Sequence, residues 1–147
     1  MQKLSKMNIA IAQVERAIVL ALDDSDFISA VTLAGAAEEI LGSLLKLEGR
    51  QSSYIGLKRT LDYVHESVQA EKLSGKEFNL LTNGVRNHFK HHSNTETIEV
   101  DPEQEACNMV HRAISNYTSL GYEHTKTMKR WLNECRLSPK YPIRGTI

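Results

Sequence analysis

The chain has 147 residues, 41% hydrophobic and 6% aromatic, with 18 Lys+Arg against 18 Asp+Glu. That is enough for one hydrophobic core, too little for two ordinary domains, and too apolar for a disordered chain. A formal charge of zero excludes nucleic-acid binding through bulk positive charge, so any phosphate chemistry must be local. The first predicted helix runs from about Ser5 to Leu22 and stops at the cluster Asp23, Asp24, Ser25, Asp26, whose short polar side chains suit the N-cap of a second helix reaching about Glu48. Gly49 closes that helix as a left-handed residue, and Ser52 or Ser53 caps a third from about Tyr54 to Glu71. Ser74 and Gly75 break the chain before a fourth helix from about Lys76 to His92, and a loop follows over Ser93 to Val100. Asp101 as N-cap, Pro102 at the first helical position and Gln104 reaching back start a fifth helix that ends near Gly121. A sixth spans about Thr125 to Arg136, and Pro139 and Pro142 exclude helix from the tail. The pattern is that of an all-α, single-domain bundle of five or six helices over residues 1–137, with a C-terminal tail at 138–147.

The two cysteines, Cys107 and Cys135, are too few for a disulfide framework and suit a reducing compartment. No run approaches the roughly 20 apolar residues that span a bilayer, and no cleavable apolar segment follows the basic start Met1 to Lys6. The expected location is therefore the cytoplasm, with no membrane partner. The second helix is expected at the centre of the bundle. Phe27, Ala30, Val31, Ala34, Leu41 and Leu45 form one apolar stripe and Leu33, Ala37, Ile40, Leu44 and Leu47 another. The fifth carries the stripe Ala106, Met109, Val110, Ala113, Tyr117 and Leu120.

The fourth helix holds the residues with chemistry. Phe78, Leu81, Val85, Phe89 and His92 share an arc of about 80°, which predicts a core-facing side. Asn83, Asn87 and His91 then point outward, with Arg86 and Lys90 on the flank and apolar Leu80 among them. A face of that composition is suited to meeting something other than water. Glu38 falls inside an apolar stripe of the second helix, where a carboxylate needs a buried partner. Arg86 is the expected one, with Lys58, Arg59 or Arg112 as structural alternatives, and Glu39 is expected to be exposed.

The run Arg86, Asn87, His88, Phe89, Lys90, His91 places a polar residue directly after an Arg and a His five residues after it. This resembles the signature of the HEPN superfamily, and the small-residue stretch from Ala34 to Gly42 is similar to the second helix of some bacterial members. The resemblance covers roughly Ile9 to Leu120 and implies a HEPN-like, metal-independent endoribonuclease without cofactor, acting as a homodimer whose Arg and His sets face one cleft. It further implies a role as toxin or defence component, with a neutralising protein partner. A non-catalytic homodimeric module, binding RNA, a nucleotide or a protein through the same cleft, is the alternative.

The residues suit that chemistry. His91 can take the proton of a ribose 2′-hydroxyl or return one to the leaving oxygen, and Arg86 can grip the phosphate through its planar fork. Asn87 can orient His91, with Glu38 in support, while Asn83 and Lys90 are the expected RNA or phosphate contacts and Leu80 the interface contact. Arg86 and His91 stand about 140° and about 7.5 Å apart on a regular helix, an offset that two copies crossing at a twofold axis would remove. A zinc site from His88, His92, Cys107 and His111 is the different-class alternative. His65 and His124 have no evident partners, and Met128, Trp131, Leu132 and Cys135 form an apolar stripe on the last helix.

Overall fold

The computed structural model describes residues 1–91 and 97–137. Six helices and, among the described residues, no strands make a single all-α domain: α1 (Lys6–Leu22), α2 (Phe27–Leu47), α3 (Ser53–Ser67), α4 (Gly75–Lys90), α5 (Pro102–Ser119) and α6 (Lys126–Leu137). The tail from 138 onward, and His92 with its neighbours to 96, lie outside the described residues.

Short polar residues start the helices as the sequence predicts. The side chains of Ser5, Asp26, Ser52, Ser74 and Asp101 each accept a backbone N–H from three residues on, satisfying a donor that the first turn leaves without a partner. At α4, Ser74 and Glu77 bond reciprocally as a full capping box. Gln104 does not do the same at α5. Its carboxamide reaches forward to Asn108 Oδ1 at 3.1 Å, where an i+4 partner is within easy reach.

Gly49 closes α2 at φ +69°, with the Arg50 N–H donating to Leu45 O at 2.8 Å. Gln69 closes α3 in the same way at φ +55°, with the Ala70 N–H donating to His65 O at 2.8 Å. The third helix therefore ends at Ser67, short of Glu71. A non-glycine residue in the left-handed region leaves no mark in the sequence.

The core is built by α1, α2, α5 and α6. Val14 and Ile18 of α1, Val31 and Leu41 of α2, Met109 and Val110 of α5 and Met128 of α6 are fully buried, each such side chain contributing roughly 1.5–3 kcal/mol of transfer free energy. By length and composition α2 could cross a membrane. It lies instead at the centre, packed chiefly on α1 and α5; of its second apolar stripe Ala37 is buried, Leu33, Ile40 and Leu44 are half-buried and Leu47 is exposed. Trp131 packs inside the bundle, and Arg130 of α6 grips Asp23 at the end of α1 through two bonds of 2.6 and 3.0 Å. The side chain of Cys135 lies outside the described residues. Helix α3 buries none of its residues.

Helix α4 corrects the expected orientation. Its buried residues are Phe78, Asn83 and Arg86, whereas Leu80 and Leu81 are 72% and 68% exposed. Phe78 is buried and Phe89 packs on the core as expected, but Asn83 turns inward and Leu81 outward, so the helix is rotated about its axis from the expected setting. The reason is the surface that receives α4: it meets Gly35 and Glu38 of α2 and Arg112 of α5, where polar side chains find partners and a leucine would leave them unpaired.

Candidate functional site

Glu38, in the middle of α2, is 6% exposed and anchors a buried polar seam that joins four helices. From α5, Arg112 donates to Glu38 Oε1 at 3.0 Å, to Thr82 O at 3.0 Å and to Asn83 Oδ1 at 3.1 Å. Its guanidinium also lies over the ring of Tyr54, 5.7 Å from the centroid. Asn116, fully buried one turn further on, donates to Glu38 O at 3.1 Å and accepts the Ser53 N–H at 2.6 Å, tying the start of α3 to α2. Asn83 completes the seam by donating to Asn79 Oδ1 at 2.9 Å, so the carboxamide expected to contact RNA is used inside the chain.

Arg86 enters the same seam from α4, and its contacts are looser. It donates to Gly35 O and to Asn87 Oδ1, both at 3.3 Å, and stands 3.9 Å from Glu38 and 3.7 Å from Glu39. The expected pairing of Glu38 with Arg86 therefore exists as the weaker of two, because Arg112 holds the nearer geometry. Glu39 is exposed as expected. Gly35 makes the approach possible: a Cβ there would lie 2.2 Å from Arg86 Cδ, so the aliphatic stem of Arg86 rests directly on the α2 backbone.

His91 lies elsewhere. It is the C-cap of α4, exposed, in extended backbone at φ −133°, ψ 141°, with its N–H donating to Asn87 O at 3.0 Å. Lys90 beside it is exposed. A groove of about 680 Å³ runs along the outer side of α4 under Ile98, with His88, His91, Asn87 and Leu80 in its walls and Gly84 within it. Arg86 lines a different depression, a cleft of about 320 Å³ between α2, the start of α3 and α4. The structure thus separates Arg86 and His91, and Asn87 links them, touching Arg86 on one side and lining the His91 groove on the other. Asn79 borders both depressions.

Among the described residues no three metal-ligating side chains come together. Cys107 is 6% exposed within the core and pairs with His111 on its own helix at 3.4 Å from Sγ to Nδ1; His111 Nδ1 also stands 2.9 Å from Cys107 O. His88 lines the α4 groove and His92 lies outside the described residues. His65 and His124 have partners, Glu71 O and Thr118 Oγ1, each at 2.6 Å.

Contact with the Cys107 side chain, then the bond to its carbonyl, raises the His111 pKa above the ordinary imidazole value against an opposing desolvation. A group whose pKa is raised on folding contributes stability that is complete below the unfolded value and is lost as pH climbs through the folded one. Denaturation midpoints should therefore fall as pH rises from about 6 to 8, and His111→Gln should flatten that decline. An equally steep decline in the variant would contradict the assignment.

Arg112, Asn116, Gly35 and Tyr54 are the members of the seam to which no functional role was assigned from sequence. Asn116 carries a signal in retrospect, since it lies beside Tyr117, three residues beyond Ala113, on the buried side of α5. No family model, curated protein or solved structure matches this chain.

Proposed function

We propose that the chain is a HEPN-like, metal-independent endoribonuclease that works as a homodimer in the cytoplasm. The observation that carries the reading is the place of Asn87 between Arg86 and His91. Asn87 bonds the Arg86 guanidinium at 3.3 Å and lines the outer groove that His91 also lines. Arg112 already occupies the near oxygen of Glu38 at 3.0 Å. Arg86, with no polar contact shorter than 3.3 Å among the described residues, keeps capacity for an incoming phosphate.

In this reading the His91 imidazole takes the proton of the ribose 2′-hydroxyl, the 2′-oxygen attacks phosphorus, and the 5′-oxygen leaves with a proton supplied by water. The products are a 2′,3′-cyclic phosphate and a 5′-hydroxyl. Each site takes its His91 from one copy and its Arg86 from the other, and exposed Leu80 on the outer side of α4 offers the apolar contact between the copies. Growth inhibition on expression, relieved by a neutralising protein partner, would fit a toxin or defence role.

A second reading, a non-catalytic module using the same groove, is favoured by the burial of Arg86, 8% exposed. Incubating purified protein with end-labelled RNA in EDTA separates the two. The first reading expects cleavage that His91→Ala reduces by about 100-fold or more, the scale of a lost acid–base group. Binding without any cleavage by the unaltered chain would contradict it and leave the second.

A further inference from the structure

We propose that the outer groove of α4 holds one nucleobase of a single RNA strand at Gly84, between Leu80 and the His88 imidazole, while Lys76 takes a backbone phosphate further along the strand. The groove, of about 680 Å³, has the size of a ligand site. Leu80, Gly84 and His88 follow one another at four-residue spacing, so they form one row up the helix surface. Glycine in the middle of that row leaves a gap, since Leu80 and His88 start about 12 Å apart along the axis. Among the described residues, a Cβ at Gly84 would meet no side chain beyond its chain neighbours except that of Leu80, at 3.3 Å. Val85 and Ile98 give the gap apolar walls, and Ile98 is exposed. An apolar slot with an imidazole at one end suits an unstacked base, because His is one of the side chains on which RNA bases stack.

The polar groups of the groove fit a nucleotide strand better than an apolar helix of another protein. Among the described residues none that lines it is acidic, and exposed Lys76 stands at the opposite end from His91. The two are about 22 Å apart along the helix, so a phosphate on Lys76 and a bond cut at His91 belong to different nucleotides of one strand. Asn79 also lines the groove. Its oxygen accepts from Asn83 at 2.9 Å, which leaves its amino group as a donor to a base edge or a sugar. A duplex keeps its bases stacked and paired, so the pocket selects single-stranded RNA. A contact between copies at Leu80 borders this pocket. The pocket deepens the cleavage reading, on which it rests for the identity of its ligand as RNA.

The test is a titration of the full chain with a fluorescent 2′-O-methyl RNA hexanucleotide that cannot be cut, beside a strand of the same length that carries no bases. The hexanucleotide is expected to bind, and the abasic strand to bind about tenfold more weakly or worse, the scale of a stacked base. Gly84→Leu, which fills the gap, and His88→Leu should each weaken binding about tenfold, whereas His88→Phe, which keeps a stacking ring, should bind as the unaltered chain does. Lys76→Gln should lower the slope of log affinity against log salt by about 0.7, the share of one phosphate contact on a single strand. The pair of His88 variants decides independently of how well Gly84→Leu folds. An abasic strand that binds as tightly as the hexanucleotide, equal affinities for His88→Leu and His88→Phe, or no saturable binding by the unaltered chain would overturn the pocket. A chain that binds as expected but cuts no RNA would remove the cleavage reading and leave the pocket standing. One that cuts RNA, with His88→Leu and Gly84→Leu binding and cutting undiminished, would do the reverse.

Discussion

Replacing Glu38 by Ala is expected to remove about 3–5 kcal/mol of folding stability. The loss does not come from the carboxylate's own contacts, because a buried ion pair contributes little net stability over an apolar pair of the same shape. It comes from what remains: the side chains of Arg112 and Arg86, 12% and 10% exposed, would be two buried guanidinium groups without a counter-charge. Such a loss is a large share of the total, since a domain of this length is stable by only about 5–15 kcal/mol. Arg112→Met in the Glu38→Ala background should therefore recover part of the loss, by removing the stranded charge. Urea denaturation of the two variants checks both numbers. A loss below about 1 kcal/mol for Glu38→Ala would mean that water reaches the seam and screens it.

The second large effect is at Gly35, where the sign of a familiar substitution should reverse. Glycine to alanine inside a helix ordinarily stabilises by up to about 1 kcal/mol. Gly56 of α3 has nothing within 4 Å of a Cβ and should behave in that way. At Gly35 the new methyl would meet Arg86 Cδ at 2.2 Å and Cγ at 2.9 Å, in the middle of a side chain pinned at both ends. Overpacking of this kind costs about 1–3 kcal/mol, enough to cancel the propensity gain and leave Gly35→Ala less stable than the parent. The displaced guanidinium should also lose Gly35 O and Asn87, so RNA cleavage should fall with stability in Gly35→Ala and stay intact in Gly56→Ala. Equal stabilisation of both variants would show that Arg86 moves aside at no cost.

The bundle was legible because its signals are local and periodic. Asp101, Pro102, Ser52 and Gly49 stand at helix ends where backbone groups need partners, and the stripes of α2 and α5 repeat at the helical period. Helix α4 was not legible in the same way. Sequence periodicity places Phe78 and Phe89 inward but not how far the helix is turned about its axis; Asn83 and Arg86 join them, and Leu81 turns out, because polar groups of α2 and α5 stand opposite. That complement lies in residues remote along the chain, Gly35, Glu38 and Arg112, and no window of sequence contains it. Glu38 itself was readable, since a carboxylate within an apolar stripe requires a partner. The choice between Arg86 and Arg112 was not, because it turns on a difference of under 1 Å between two approaches.

In the proposed enzyme Arg86 and His91, on different sides of α4 in one chain, act together across two copies. Subunit complementation tests it most directly. Arg86→Met is the suitable partner variant, because it leaves Glu38 paired with Arg112. Arg86→Met and His91→Ala proteins, each inactive alone, are unfolded together, refolded as a mixture and assayed on RNA in EDTA. If each site draws its guanidinium from one copy and its imidazole from the other, half of the dimers carry one intact site of two, and activity returns to about a quarter of the unmodified protein. A mixture as inactive as its parents, beside an unmodified chain that cuts, would contradict the claim.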